Sequence, residues 1–255
     1  MGDELPQKKR KSKYITSYSA MTQVLAEKRL GLRIGELKGI PVERMMSFDK
    51  YKSEKELSGK DVSKIKDKVY GDILQFLETE GYPTEGSSDF TEGNVSDLVV
   101  YIIGPILASF RRKTGRHVRL RREKEIIAVD NETGGKEEFV IVDLVDVGME
   151  KFVLMVEGKR SSLGQAERQC LLSLQDMREN NGEGEVYGFT TTGESWRMFR
   201  YDGISFCKTE KMDVIFDSMD EDTGKERWIK DCSILVDCIL MALRNGGGVK
   251  DVAVG

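Results

Sequence analysis

Histidine is nearly missing from this 255-residue chain: His117 is the only one, and the four cysteines, Cys170, Cys207, Cys232 and Cys238, form no CxxC pair. A zinc centre built on closely spaced Cys and His ligands is therefore not expected, and the cysteine usage fits a reduced intracellular compartment. No Gly-rich run reads GxxxxGK[ST], so no nucleotide-cradling P-loop and no NTPase motor is encoded. The longest apolar run, "LVVYIIGPILASF" from Leu98, has 13 residues and contains Gly104 and Pro105. That is short for a bilayer span, and the charged N-terminus does not read as a secretory leader. A large charge of one sign is lacking too. The formal net charge is -4, which by itself does not announce a nucleic-acid binder, although local clusters still can.

What is present is enough apolar material for a sizeable core: 39% hydrophobic beside 33% charged residues. Residues 1–15 lack an apolar period and carry Lys8, Lys9, Arg10 and Lys11, a flexible basic tail that reads as a nuclear import signal or a solvated run. A helix is suggested within "SAMTQVLAEKRLGLRI". A clearer one begins after Ser58 or Asp61, with Val62, Ile65, Val69, Ile73, Phe76 and Leu77 at three- and four-residue spacings, and stops at Gly81. Residues 82–94 read as a loop, and a core helix follows over about 95–113, kinked at Pro105 and capped by Gly115.

The period then changes to alternation. "HVRLRREKEIIAVD" predicts a strand, "NETGGKE" a turn, "EFVIVDLVD" a second strand and "KFVLMVEGK" a third. A helix, "SLGQAERQCLLSLQDMREN", two more strands, "EVYGFTTTG" and "SWRMFRYDGISFCK", and a final helix, "KERWIKDCSILVDCILMALRN", complete the pattern. This predicts an α/β fold with a mixed central sheet flanked by helices. The organisation reads as a helical N-terminal extension over 16–83, the main domain over 84–245 and a tail over 246–255.

The third strand carries the chemistry. It ends on Glu157 and Lys159, two residues apart and so on one face. A carboxylate there can hold a hard divalent ion, while an ammonium beside it can orient or help deprotonate a water and offset charge on a phosphate. For a preceding acid the candidates are Glu138 and Asp143. A turn centred on 147–150 predicts Val140 opposite Glu157 and Glu138 opposite Lys159. Asp143 then lies opposite Leu154, roughly 10 Å from the Glu157 carboxylate at about 3.3 Å per residue. Glu138 is preferred.

An acid, a gap and (Asp/Glu)-x-Lys on the third strand of an αβββαβ core resembles the PD-(D/E)xK, or restriction-endonuclease-like, nuclease superfamily. The stretch from "VLMVEGKR" to "SWRMFRYDG" is similar to domains of this kind in fungal and Crinkler-type effector proteins, and the match covers about 110–202. The resemblance implies metal-dependent cleavage of DNA or RNA with Mg²⁺ or Mn²⁺. Glu138 and Glu157 would hold the metal, Lys159 would position the water, and Gln169 on the following helix would support them. It also implies an acid on the first helix, for which Glu92 is preferred to Asp97. The sequence departs from the family where Pro-Asp is expected: Glu137-Glu138 stands there, with one methylene more than Asp.

A basic stretch precedes the strands. Arg111, Arg112, Lys113, Arg116, Arg119 and Arg121, with Arg160 farther on, form a track suited to phosphates and to salt-dependent binding. The expected partner is nucleic acid, DNA ahead of RNA, with the nuclear import machinery as a second. No membrane partner is expected, and localisation is nuclear if the basic tail acts as an import signal, otherwise cytoplasmic. Two other readings stay open: a degenerate nuclease fold that binds without cleaving, and an interaction module of an effector or mobile element.

Overall fold

A computed structural model describes residues 13–50, 57–82, 89–160 and 163–248. In chain order its elements are β1 (Thr16–Ser17), α1 (Gln23–Leu30), β2 (Gly39–Ile40), α2 (Val42–Met46), α3 (Gly59–Glu80), α4 (Glu92–Thr114), β3 (Val118–Ile127), β4 (Thr133–Asp146), β5 (Met149–Gly158), α5 (Leu163–Asn181), β6 (Val186–Thr191), β7 (Ser195–Tyr201), β8 (Phe206–Thr209), β9 (Met212–Asp213), α6 (Gly224–Asp231) and α7 (Ile234–Asn245). The strands form one mixed sheet flanked by helices. β3, β4 and β5 make an antiparallel meander, α5 carries the chain to β6 parallel to β5, and β7 and β8 continue antiparallel.

Alternation along the strands divides the core in two. Phe139, Ile141, Leu154, Val156 and Phe189 pack with α3, α4 and α7 on one side. Val140, Val142, Met155, Val186 and Phe199 pack with α1 and α5 on the other. Each such buried side chain is worth roughly 1.5–3 kcal/mol, so α5 and α4 are pinned to opposite faces by many independent contacts. The caps are local: Ser58 and Asp61 form a reciprocal capping box at α3, and α4 ends on Gly115 with φ 73. α4 is long and apolar enough to cross a membrane by length and composition, yet Val95, Leu98, Ile102, Ile106 and Phe110 are buried in this core.

Several boundaries correct the sequence reading. Gly134 and Gly135, expected in a turn, lie within β4, where a Cβ would run into the rings of Tyr14 and Tyr18. The turn is instead at 128–132, closed by the Asn131 N–H donating to Ala128 O at 2.9 Å. "SWRMFRYDGISFCK" is two strands, because Asp202 accepts from the Ile204 and Ser205 N–H groups and folds the chain back. The final helix breaks between α6 and α7 at Cys232 and Ser233. The N-terminal stretch is not purely helical: β1 pairs with β4 and β2 with β8, adding margins to the sheet. At the other end Gly247 donates to Glu185 O, so the order extends past Gly246.

The β4–β5 register also differs from the expected one. Phe139 pairs with Val156 and Val140 with Met155, two residues from the predicted pairing, with irregularities at Ile141/Val142 and Leu144/Asp146. β3 and β4 bend as well. Glu123 has φ 50, and the outer half of the hairpin is tied to α5 by Thr133 Oγ1 to Asp176 at 2.8 Å and Asn180 Nδ2 to Ile127 O at 2.8 Å.

Candidate active site

β5 brings Glu157 and Lys159 together as its spacing predicts: Lys159 Nζ lies 3.1 Å from Glu157 Oε1. Glu157 belongs to the α5 side of the sheet, since Met155, two residues earlier, packs in the α5 cluster, while Lys159 follows the strand's last residue and also reaches Glu92 of α4. Gly158 between them faces α4. A Cβ there would sit 3.1 Å from Glu138 Oε2 and 3.2 Å from Val95 Cγ1, so a small residue suits this position.

The preceding acids separate onto different faces. Glu138 turns toward α4, where Ser96 Oγ donates to its Oε1 and the Gly158 N–H donates to its Oε2 at 3.0 Å. Phe139 also packs on the α4 side, so alternation fails between these two residues, next to the bend opposite Glu123. Glu137 is thereby left on the α5 side, fully buried, accepting from Ser173 Oγ at 2.7 Å and close enough to Glu157 to feel its charge. Glu138 thus lies on the face away from Glu157, still close enough for Glu157 and Lys159 to act on its charge, while Glu137 meets Glu157 on the α5 face. Asp143 is remote, paired in register with Lys151 and bonded by Arg116 Nε at 2.8 Å.

Burial sets the electrostatics. It raises the Glu137 carboxyl well above its usual range, and the nearby Glu157 charge adds to this. Glu157 is raised by burial as well, against the pull of Lys159 and the hydrogen bond from Glu137. Glu138 is raised chiefly by burial, with the Ser96 and Gly158 hydrogen bonds opposing. Lys159 is pushed down by burial but held higher still by Glu92, at 2.8 Å, and by Glu157, so it stays an ammonium. That charge state suits orienting a water and neutralising phosphate rather than removing a proton. Glu92, in the first turn of α4, reaches this group, whereas Asp97 pairs with Arg122 at 3.6 Å.

α5 and β6 supply neutral oxygens around the same carboxylates. Gln169 is buried and its Oε1 has no partner among the described residues; the same holds for Glu137 Oε2 and for Oγ1 of Thr190, which pairs in register with Glu157. Among the described residues no three His, Cys, Asp or Glu side chains converge as a metal cage. The donor set is two carboxylates with neutral oxygens nearby. It fits Mg²⁺ or Mn²⁺, hard ions that take oxygen donors and retain waters, and does not suit a soft-metal centre. Glu137 was not chosen from the sequence; the doubled Glu137-Glu138 was the only signal available for it.

The basic residues do not form one track. Arg116 is spent inside the fold, bonded to Asp143 and to the carbonyls of Leu243, Arg244 and Gly246. Arg119 and Arg121 pair in register with Val142 and Val140 on the α5 side of β3, Arg121 exposed and Arg119 half-buried. Arg111 and Arg160 are half-buried. Exposed Arg112 and Lys113 line a 220 Å³ surface pocket with Lys64, Lys68 and Ser109, a basic cluster across α3 and α4 that no single stretch of sequence announces. Lys113 there pairs with Asp61 at 2.7 Å. Lys8, Lys9, Arg10 and Lys11 lie outside the described residues.

A scan of known family models finds no match to this chain, and a search of curated proteins finds none either.

Proposed function

We propose that this protein is a Mg²⁺- or Mn²⁺-dependent nuclease with a restriction-endonuclease-like core. The order α4–β3–β4–β5–α5–β6, with an antiparallel meander and a parallel fourth strand reached through a helix, is compatible with the αβββαβ arrangement of that superfamily. The observation that carries the reading is the convergence of Glu137, Glu157, Lys159 and Glu92 at the end of β5.

In this reading Glu137 and Glu157 hold the ion, and Glu138 acts from the opposite face by fixing the Gly158 N–H. When bound, the ion supplies Lewis-acid stabilisation of phosphate charge and a water of lowered pKa. Glu137 and Glu157 would hold the ion as carboxylates, so any proton that burial keeps on them would have to leave for it to bind. Lys159 keeps its charge, orients the attacking water and offsets the charge that grows on the phosphate. Glu92 holds the ammonium from the far side, and Gln169 Oε1 accepts from a water beside Glu157. Arg119, Arg121, Arg112 and Lys64 give sequence-independent contacts to the backbone.

The test is incubation with linear duplex DNA, single-stranded DNA and RNA in Mg²⁺, Mn²⁺ or EDTA. Cleavage that requires the ion supports the reading and identifies the polymer. A second reading, a nuclease fold that binds without cleaving, is favoured by one feature: the two acids are both Glu, and among the described residues no third carboxylate joins them in a metal cage. Salt-sensitive DNA binding with no metal affinity and no cleavage supports that alternative.

A further inference from the structure

Thr190 lies on β6, 1% exposed, and its hydroxyl has no partner among the described residues. Its position is fixed. Gly188, two residues earlier, faces α5, because a Cβ there would strike Cys170 Sγ; Thr190 therefore faces α5 as well, directly beside Glu157 in the parallel ladder. Glu137 Oε2 on β4 and Gln169 Oε1 on α5 are likewise buried and unpartnered. Three elements thus present oxygens to the surroundings of one carboxylate. Both Glu137 Oε2 and Gln169 Oε1 are acceptors or, for a protonated carboxyl, a single donor, while a hydroxyl is both donor and acceptor. A buried hydroxyl left unpaired costs stability, so a threonine where valine has the same shape needs a reason.

We infer that Thr190 is a positioning residue of this site, its hydroxyl bonding a water that sits between β6 and Glu157 and so fixing the carboxylate for a cation. The inference rests on the metal reading and extends it to a strand that carries no part of the acid-x-Lys motif. A shared water of this kind is the ordinary way buried polar atoms without protein partners are satisfied. Groups that orient a metal-holding side chain typically change metal affinity 10–100-fold when removed, in the manner of outer-sphere hydrogen bonds.

The experiment compares the full chain with Thr190→Val and Thr190→Ser, measuring Mn²⁺ affinity by calorimetry and the melting temperature in EDTA. The expected result is that Thr190→Val weakens Mn²⁺ binding about 10-fold or more without raising the melting temperature, while Thr190→Ser, which keeps the hydroxyl, binds like the parent. If Thr190→Val binds Mn²⁺ as the parent does and melts higher, the hydroxyl serves nothing and the inference is overturned. Equal loss in both variants marks a packing effect and overturns it too. If the parent itself binds no Mn²⁺, the metal reading fails and takes the inference with it, an outcome distinct from the other two.

Discussion

Glu137 and Glu157, on adjacent strands β4 and β5, lie close enough on the α5 side of the sheet for each to act on the other's ionisation, and both carboxyls are held above their ordinary range chiefly by burial. For an acid whose folded pKa is raised, the folded state binds more protons than the unfolded one from about the ordinary value upward. Stability is therefore greatest at low pH and falls as pH rises toward the raised value. Glu137→Gln removes that loss. It should melt higher than the parent at pH 8, with a smaller difference at pH 5, and should bind Mn²⁺ more weakly. A thermal-melt series over pH in EDTA checks the sign; a variant that melts lower at pH 8 contradicts it.

The opposite sign applies at Glu185. Burial disfavours its charge, but Arg200, Lys50 and Tyr187 hydrogen bond to the carboxylate and bring it down to about 2. Stability from this group is present above the ordinary value and is lost as pH falls through the window between 4.5 and about 2. The shift corresponds to on the order of 3 kcal/mol. Glu185→Gln should lower stability at pH 7 by a similar amount, since buried Arg200 loses the carboxylate that Nε and Nη2 bond and keeps only Asp202 at 3.2 Å as a charge partner. Acid unfolding of the variant should be correspondingly less steep, as read by circular dichroism against pH.

Gly188 marks where α5 touches the sheet. A Cβ would lie 2.4 Å from Cys170 Sγ, so α5 would have to move. Gly188→Ala should cost about 1–3 kcal/mol by overpacking, measured by urea unfolding. Because α5 carries Gln169 and Ser173, metal affinity should fall in parallel. A variant of unchanged stability would show that α5 is not held as closely as described.

Arg116 and Arg121 came from the same basic stretch, yet they serve different ends. Arg116 joins Asp143 to the chain after α7, whereas Arg121 is exposed. Arg116→Ala should lower the melting temperature. Arg121→Ala should leave it within the usual range for a surface change and reduce the salt slope of DNA binding by about one ion. Fluorescence anisotropy of a labelled duplex at several salt concentrations separates the two.

Much of the fold was legible because it follows periodicity. Val62 to Leu77 mark α3, Phe152 to Val156 mark a buried strand, and Gly115 ends α4 as a glycine should. The approach of Lys159 to Glu157 was legible for the same reason. The partner acid was not. Choosing between Glu137 and Glu138 depends on a break in alternation at Glu138 and Phe139, opposite the positive-φ residue Glu123, and no periodicity in the sequence announces it. Gly134 and Gly135 read as a turn because their composition is that of turns, but here glycine serves the close approach of Tyr14 and Tyr18. The break between α6 and α7 has no glycine or proline to announce it, and strands of two residues such as β1 are too short to carry a period.

The most direct measurement is cleavage of a labelled linear duplex in Mn²⁺ by the parent and by Lys159→Ala, with circular dichroism to confirm that both are folded. The account predicts cleavage by the parent that stops in EDTA and falls at least 100-fold in Lys159→Ala, as expected for loss of an electrostatic group at the reacting phosphate. Cleavage that persists in folded Lys159→Ala would contradict the assignment of this site, and a parent that neither cleaves nor binds Mn²⁺ would contradict the nuclease reading as a whole.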